Sequence, residues 1–153
     1  MVFSSILNLT VPKLIGLGAV VAGSSIARGW GESIKWTSLD EGKAMARRSS
    51  KPIMVVIHKN KCPACNDLKP KFAIDSDIQN LSRHFVMVNL ETDEVPKSSE
   101  FQPDGPYVPR ILFFGPDCKL ISDVHNSDKA QKFLYNEVND IADNMRQVLN
   151  DIN

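Results

Sequence analysis

The sequence predicts a single α/β domain whose mixed β-sheet is flanked by helices on both faces. Segments that favour strands alternate with segments that favour helices, and the order ends in a hairpin followed by a long amphipathic helix. The chain has 153 residues, of which 42% are hydrophobic, enough for one domain with its own core.

The first helix is indicated by its start signal. Ser38 and Glu41 form the Ser-x-x-Glu pattern of a capping box, and good helix formers come next, so a helix begins here and ends before Pro52. A short strand is expected just before it, at residues 34–36.

The run of residues 53–57 is continuously apolar and β-branched, which is typical of a strand buried on both faces. This strand should lie at the centre of the sheet. The next segment, 65–72, favours a helix in which Pro70 should kink the helix or divide it from the next one. That further helix is expected from Asp75 or Ser76.

The second half of the chain supplies the remaining elements. Residues 85–90 predict a strand, and the polar, proline-rich residues 91–107 predict a long irregular loop. Strands are expected at 110–114 and 120–124, paired as a hairpin through a Gly-Pro-Asp-Cys turn. From about residue 128 to 152, apolar residues recur every three or four positions, which predicts the terminal helix.

Charge and cysteine content limit the function classes. Eighteen basic residues balance eighteen acidic ones, so there is no electrostatic case for nucleic acid or an anionic membrane surface as partner. Three cysteines are too few for a disulfide scaffold. They suit one functional pair and one leftover thiol, Cys118.

An N-terminal segment, VPKLIGLGAVVAGSSIA at residues 11–27, is apolar, has Lys13 near its start and contains no Asp or Glu. It predicts a secretory signal peptide that is cleaved after Ala22 or Ala27. The chain is therefore expected to enter the secretory pathway.

An uncleaved anchor helix is the alternative for this segment. Its densely apolar part, residues 14–22, is well short of the roughly 20 residues that a membrane span needs. We therefore expect a signal peptide at residues 1–27, a mature domain at 28–153, and no stable membrane insertion after cleavage.

The motif Cys62-Pro63-Ala64-Cys65 stands between the central strand and a helix. In this arrangement the helix N-terminus points at the first sulfur and stabilises its thiolate. A Cys-x-x-Cys at the first strand-to-helix junction of an α/β pattern is typical of thioredoxin-like redox domains. The sequence thus predicts a reactive dithiol in a single thioredoxin-like domain.

Metal binding is the rival interpretation of the motif. Structural zinc normally needs four ligands, and the only additions, Cys118, His58 and His84, are scattered without finger-type spacing. Haem attachment is excluded because Asn66, rather than histidine, comes directly after Cys65. We therefore expect no metal.

Two further residues are candidates for accessory roles. His58 lies close before the motif and could transfer protons, although a histidine at a strand end is more often structural. Cys118 could pair between chains or become glutathionylated, and the inert thiol is the preferred interpretation.

Four segments carry a family resemblance: GWGESIKW, KPIMVVIHKNKCPACNDLKPKFA, FVMVNLE and, above all, PDGPYVPRILFFGPD. From Gly29 to about Leu149 the chain resembles the small endoplasmic-reticulum thioredoxin-like proteins, the group of thioredoxin domain-containing protein 12 and the anterior gradient proteins. Because both motif cysteines are present, the chain is more similar to the redox-active member of the group than to anterior gradient proteins that have only one of them.

The resemblance implies the roles of the site residues. Cys62 is the attacking nucleophile and Cys65 the resolving cysteine. Pro109 is the cis-proline that faces the dithiol in thioredoxin-like folds, and Val108 precedes the cis bond. The backbone of these last two residues would bind an extended client as an added strand.

The residues around the cysteines depart from the family and should tune the motif. Lys61 stands where the family usually has tryptophan, Pro63 stands where the twelve-type member has glycine, and Ala64 completes the motif. In thioredoxins, a buried aspartate six residues before the first cysteine helps to transfer the proton of the resolving thiol. Val56 occupies that position here, so this help with proton transfer is absent.

The helix N-terminus and Lys61 should stabilise the Cys62 thiolate, since such environments lower a cysteine pKa into the range of about 3.5 to 7.5. Pro63 costs little in the first helical turn. A stabilised thiolate stabilises the reduced form and makes the protein a better oxidant. The predicted redox potential is therefore nearer that of protein disulfide isomerase than that of thioredoxin.

The expected function is that of a secretory-pathway thiol-disulfide oxidoreductase, a protein-disulfide reductase that exchanges disulfides with client proteins or glutathione. It needs no cofactor, and glutathione is its redox partner. The alternative is a binding module or chaperone of anterior gradient type with little turnover. The resemblance implies the endoplasmic reticulum lumen, whereas residues 150–153 lack a KDEL-like signal and leave secretion open.

Overall fold

The computed structural model describes residues 26–153. Residues 1–25, which hold most of the predicted signal peptide and the candidate cleavage position after Ala22, lie outside this range. No helix within 26–153 is long and apolar enough to cross a membrane.

The described residues form an α/β domain with a mixed sheet, as predicted. Its elements are α1 Leu39–Ser49, β1 Ile53–His58, α2 Pro63–Ile74, α3 Ser76–Ser82, β2 Val86–Glu91, β3 Arg110–Phe114 and α4 Val138–Ile152. Two short 3₁₀-helices, Thr92–Glu94 and Ser99–Phe101, lie in the predicted loop between β2 and β3.

The sheet has the strand order β2-β1-β3. β1 runs parallel to β2 and antiparallel to β3, with Val55 opposite both Val88 and Leu112. All six residues of β1 are buried, which confirms its predicted central position. Because side chains alternate between the two faces of a strand, Val56 and His58 face one core layer and Val55 faces the other.

Each face of the sheet carries its own core layer. The larger layer includes Trp30 of the N-terminal segment, Phe72 of α2 and Met145 of α4. The smaller layer includes Ala46 of α1 and Phe133. The end of β1 is held between the two layers, which fixes the point where the Cys-x-x-Cys motif begins.

The start of α1 agrees with the predicted capping signal in part. The Glu41 backbone N–H donates to the Ser38 hydroxyl at 3.3 Å, whereas the Glu41 carboxylate accepts from the Thr37 hydroxyl at 3.2 Å. The helix ends before Ser50, which has a left-handed backbone with φ of 56°.

α2 continues through Pro70, so the possible division of the helix there does not occur. Leu68 and Phe72 are fully buried on either side of the proline. Their packing holds the helix together although Pro70 lacks a backbone donor. α3 begins as a separate helix because the Asp75 side chain caps it, accepting from the Ile78 N–H at 2.8 Å.

The segment at residues 34–36 forms less than the expected strand. It makes one isolated parallel bridge, between Trp36 and Met87. The Thr37 N–H also donates to the Met87 carbonyl at 2.9 Å. This segment therefore covers part of the outer edge of β2.

The predicted strand at residues 120–124 is wrong. Only an isolated antiparallel bridge joins Leu120 to Phe114. The backbone turns directly afterwards, and the Val124 N–H donates to the Ile121 carbonyl at 3.3 Å. The Ser-Asp pair in that turn favours turn conformations, which ends the pairing after one bridge.

The terminal helix begins at Val138 rather than near Asp128. The N–H groups of Ala130 and Gln131 donate to the Asp128 carboxylate at 2.7 and 3.2 Å. Asp128 itself donates its N–H to the Asn126 side chain at 2.6 Å. The next N–H groups, those of Lys132 and Phe133, donate to the side chains of Asp104 and Tyr107 at 2.8 and 3.0 Å instead of to carbonyls four residues back. The apolar periodicity therefore overstates the length of the helix.

Candidate active site

The Cys-x-x-Cys motif lies at the carboxyl end of β1, where the chain enters α2. Cys62 is the N-cap of α2, and its sulfur accepts the Cys65 N–H at 3.1 Å. Pro63 occupies the first position of the helix, where a missing N–H costs little. The strand-to-helix placement predicted from the sequence is therefore present.

Cys62 is held between the helix start and a second loop. Its sulfur lies 3.7 Å from the Val108 carbonyl oxygen, and 8% of the residue is exposed. A partner sulfur can approach only through this small opening. The backbone that borders it is that of Val108.

Cys65 lies one turn deeper and has no exposed surface. Burial, and next its hydrogen bond with Cys62, raise the pKa of the Cys65 thiol to about 12. Cys65 therefore stays protonated at neutral pH in this reduced state. The two cysteines thus differ in depth, and their roles as attacking and resolving cysteine stay a prediction.

The loop facing Cys62 contains a cis Val108-Pro109 peptide bond, the geometry that the resemblance implies. Val108 is half-buried, and its carbonyl contacts the Cys62 sulfur. The expected role of these two residues in binding clients stays a prediction.

Arg110, directly after the cis bond, organises this loop, and sequence reasoning missed it. Its side chain is buried and donates from Nε to the Phe101 carbonyl at 3.0 Å and from Nη1 to the Tyr107 carbonyl at 2.5 Å. Burial lowers the pKa of the guanidinium. The available signal was a charged residue at the start of an apolar, fully buried strand.

Tyr107 continues this network on the far side of the loop. Its hydroxyl donates to the Asp104 carboxylate at 2.5 Å and accepts the Phe133 N–H at 3.0 Å. The other Asp104 oxygen accepts the Lys132 N–H at 2.8 Å. Burial, and next the Asp104 carboxylate, raise the pKa of Tyr107 and keep its hydroxyl protonated. The segment before α4 is thus bonded to the cis-proline loop.

His58 is fully buried, and its hydrogen bond goes to Asn89 rather than to a cysteine. His58 Nε2 lies 3.2 Å from Asn89 Oδ1, and Asn89 Nδ2 donates to the Ile26 carbonyl at 2.7 Å. The ring also packs 5.4 Å from Trp30, measured between centroids. Burial lowers the pKa of His58, so the ring is neutral near pH 7. Its accessory catalytic role stays a prediction.

The predicted tuning residues surround the opening. Lys61, Pro63 and Ala64 are all exposed, next to the less accessible Cys62. Lys61 directly precedes Cys62 in the chain, and none of the ion pairs found within residues 26–153 includes it. Their effect on the redox potential stays a prediction.

The remaining cysteine is separate from the motif. Cys118 is half-buried in a turn, has a left-handed backbone with φ of 65°, and its sulfur lies 3.7 Å from the Lys43 carbonyl. All three cysteines are unpaired thiols. In the part of the chain that the structure describes, no group of three or more His, Cys, Asp or Glu residues is arranged to hold a metal.

Comparison with known proteins agrees with this geometry. A protein-family model described as thioredoxin-like matches residues 35–116. Anterior gradient protein 3 of Mus musculus is 35% identical over 129 residues, 82% of this chain and 77% of that protein. The anterior gradient protein 2 homolog of Homo sapiens is 33% identical over 128 residues, 82% of this chain and 72% of that protein.

Solved structures agree at the level of the fold. A solution structure of a thioredoxin from Thermus thermophilus has a TM-score of 0.54 at 21% identity, covering 76% of this chain and 88% of that one. A disulphide isomerase from Xylella fastidiosa Temecula1 has a TM-score of 0.52 at 18% identity, covering 72% and 88%. Both show that this chain has a thioredoxin-like fold.

Proposed function

Because this chain belongs to the anterior gradient family of thioredoxin-like proteins, we propose that it exchanges disulfides with client proteins through Cys62 and Cys65. Its fold and family support a role of thiol-disulfide oxidoreductase type. Client proteins as substrates and glutathione as the redox partner are the specific parts of the proposal.

In the reductive direction, the Cys62 thiolate attacks one sulfur of a client disulfide. A Cys62–client disulfide forms, and the other client sulfur leaves as a thiolate and takes up a proton. Cys65 then loses its proton and attacks the Cys62 sulfur, which releases the second client thiolate. The client gains two electrons, and the motif becomes a disulfide that two glutathione thiols reduce again.

The observation that carries this proposal is the asymmetric pair of sulfurs at the N-terminus of α2. Cys62 accepts the Cys65 N–H at 3.1 Å at the start of α2, where the helix dipole is positive, and 8% of the residue is exposed. Cys65 is buried and its pKa is raised to about 12, which makes it the second rather than the first nucleophile.

The cis-proline loop supports client binding beside the sulfur. An extended client segment would lie along Val108 and form backbone hydrogen bonds like an added strand. Arg110 holds the carbonyls of Phe101 and Tyr107, both in the segment that leads to Val108, so this edge is ordered before the client arrives. Less ordering on binding means a smaller entropic cost.

A glutathione-coupled insulin-reduction assay tests the proposal. The wild-type chain should reduce insulin disulfides with turnover, and Cys62→Ser should abolish the turnover. Cys118→Ser is the matched control, since its sulfur contacts Lys43 rather than the motif, and it should keep the wild-type rate. Binding of clients with no turnover by the wild-type chain would contradict the proposal and favour the chaperone interpretation.

We also place this activity in the secretory pathway, because residues 11–27 have the composition of a signal peptide. The untagged protein should be found in the endoplasmic reticulum lumen or in the medium. A cytosolic location of the full chain in fractionated cells would contradict this placement.

A further inference from the structure

A second cavity lies at the opposite end of the sheet from Cys62. Its volume is about 400 Å³, within the range of small-molecule sites. Its lining includes Lys51, just before β1, and Val86, the first residue of β2. The motif lies beyond the other end of β1, so this cavity is separate from the redox site.

Four cations line this cavity, which we call the basic pocket: Lys35, Arg48, Lys51 and Arg83. No Asp or Glu lines it, although the chain has 18 acidic residues to match 18 basic ones. The ion pairs found among residues 26–153 all join other side chains. The concentration of positive charge is therefore local to the basic pocket and is not offset by paired carboxylates.

The lining of the basic pocket also contains apolar residues, beside the hydroxyl groups of three serines and a threonine. Phe85, directly before β2, and Val86 and Met87 at its start are almost fully buried, and Met45 of α1 exposes 40% of its surface beside them. Apolar walls with charged groups at the margin suit a ligand that has both a hydrocarbon body and a negative charge.

The edge of β2 helps to decide the kind of ligand. Trp36 already pairs with Met87, and the Thr37 N–H already donates to the Met87 carbonyl. An extended peptide cannot add as a strand where this edge is occupied. A compact ligand fits the remaining space better than a peptide does.

We infer that the basic pocket binds an amphipathic organic anion, an acyl or aryl body that carries a carboxylate, sulfonate or phosphate. The body lies on Met45 and Phe85, and the anionic group is held by Arg48 and Arg83. This site is independent of the proposed disulfide exchange.

The test uses 8-anilinonaphthalene-1-sulfonate, whose fluorescence rises in apolar sites, with the full, folded chain. Saturable binding of one probe per chain is expected, and it should weaken as salt is raised because the charges are exposed. The uncharged analogue N-phenyl-1-naphthylamine should bind at least tenfold more weakly. Equal binding of the two probes, or no saturable binding, would overturn the inference.

Variants locate the site. Arg48→Met and Arg83→Met should each weaken binding of the sulfonate about tenfold, the size expected for one charge-assisted hydrogen bond. Arg47→Met is the matched control, since Arg47 neighbours Arg48 in the last turn of α1 but does not line the basic pocket. Circular dichroism checks that each variant is folded. Equal weakening by Arg47→Met would overturn the assignment.

Competition identifies the occupant. Dodecanoate should displace the probe from the wild-type chain and from Cys62→Ser equally, because the basic pocket is separate from the motif. Stronger displacement by a glutamate-rich peptide would overturn the inference in favour of an acidic protein partner. Loss of probe binding as the chain self-associates at higher concentration would overturn it in favour of a second copy.

Discussion

Replacing Arg110 with methionine tests whether the cis-proline loop is held in place for client binding. The variant removes the donors to the Phe101 carbonyl at 3.0 Å and the Tyr107 carbonyl at 2.5 Å. Hydrogen bonds from a charged group contribute about 1.5 to 3 kcal/mol each, or about 3 to 6 kcal/mol for the pair. Part of this loss of stability is offset, because methionine removes the free-energy cost of burying the charge of Arg110.

The expected net loss in the free energy of unfolding is about 2 to 4 kcal/mol, measured by urea denaturation. The loop also carries the Val108 edge, so the KM for insulin should rise severalfold while kcat falls less. Arg110→Lys keeps the charge, but its single ammonium group cannot hold both carbonyls in the same geometry, and it should be intermediate.

Ile111→Val is the matched control for this experiment. It changes the next buried residue of β3 and should cost about 0.5 to 1.5 kcal/mol without altering KM. A KM for Arg110→Met equal to that of Ile111→Val, in protein that is folded under the assay conditions, would refute the positioning role.

The buried groups lead to three further predictions. The pKa of His58 is lowered in the folded state, so the unfolded chain binds one more proton than the folded chain as pH falls below about 6.5. The free energy of unfolding should therefore fall towards pH 5, by at most about 1.4 kcal/mol per pH unit. Urea titrations of His58→Gln should show a smaller dependence on pH. Because the pKa of Cys65 is raised to about 12, iodoacetamide at pH 8 should alkylate Cys62 in native protein, whereas Cys65 should react only after denaturation. Mass spectrometry measures the alkylation of each cysteine. Equal alkylation of both cysteines in native protein would contradict the assigned depths. The signal peptide should be cleaved after Ala22 rather than after Ala27, because Ala27 is 2% exposed and belongs to the domain core. A mature N-terminus found directly after Ala27 by N-terminal sequencing of the secreted chain would contradict this prediction.

Elements with strong local signals were predictable from the sequence. β1 is indicated by a continuous β-branched run, and its burial on both faces is observed. The N-cap position of Cys62 is indicated by the strand-to-helix junction. In both places the local preference and the tertiary packing favour the same conformation.

The errors lie where side-chain hydrogen bonds replace the backbone bonds that the periodicity predicts. Residues 128–137 have apolar positions at helical spacing, but the N–H groups of Lys132 and Phe133 donate to the side chains of Asp104 and Tyr107. The strand predicted at residues 120–124 had the right composition, yet it turns away after one bridge at Leu120. Hydrophobic pattern alone does not report these side-chain bonds.

The contacts that complete the site were not predictable because they join distant segments. Asn89 meets His58 only through the parallel register of β1 and β2, in which Val56 lies opposite Asn89. Arg110 reaches the Phe101 carbonyl only after the loop has folded back. The sequence indicates the reactive cysteines, whereas the groups that position their surroundings require the tertiary structure.

Trapping of client disulfides tests the central claim most directly. Cys65→Ala should accumulate mixed disulfides between Cys62 and client proteins, because the second attack that releases the client is lost. Peptide mapping should place the client link on Cys62, and Cys62→Ser/Cys65→Ala should trap nothing. Absence of mixed disulfides in Cys65→Ala, or links found only at Cys118, would contradict the proposed function.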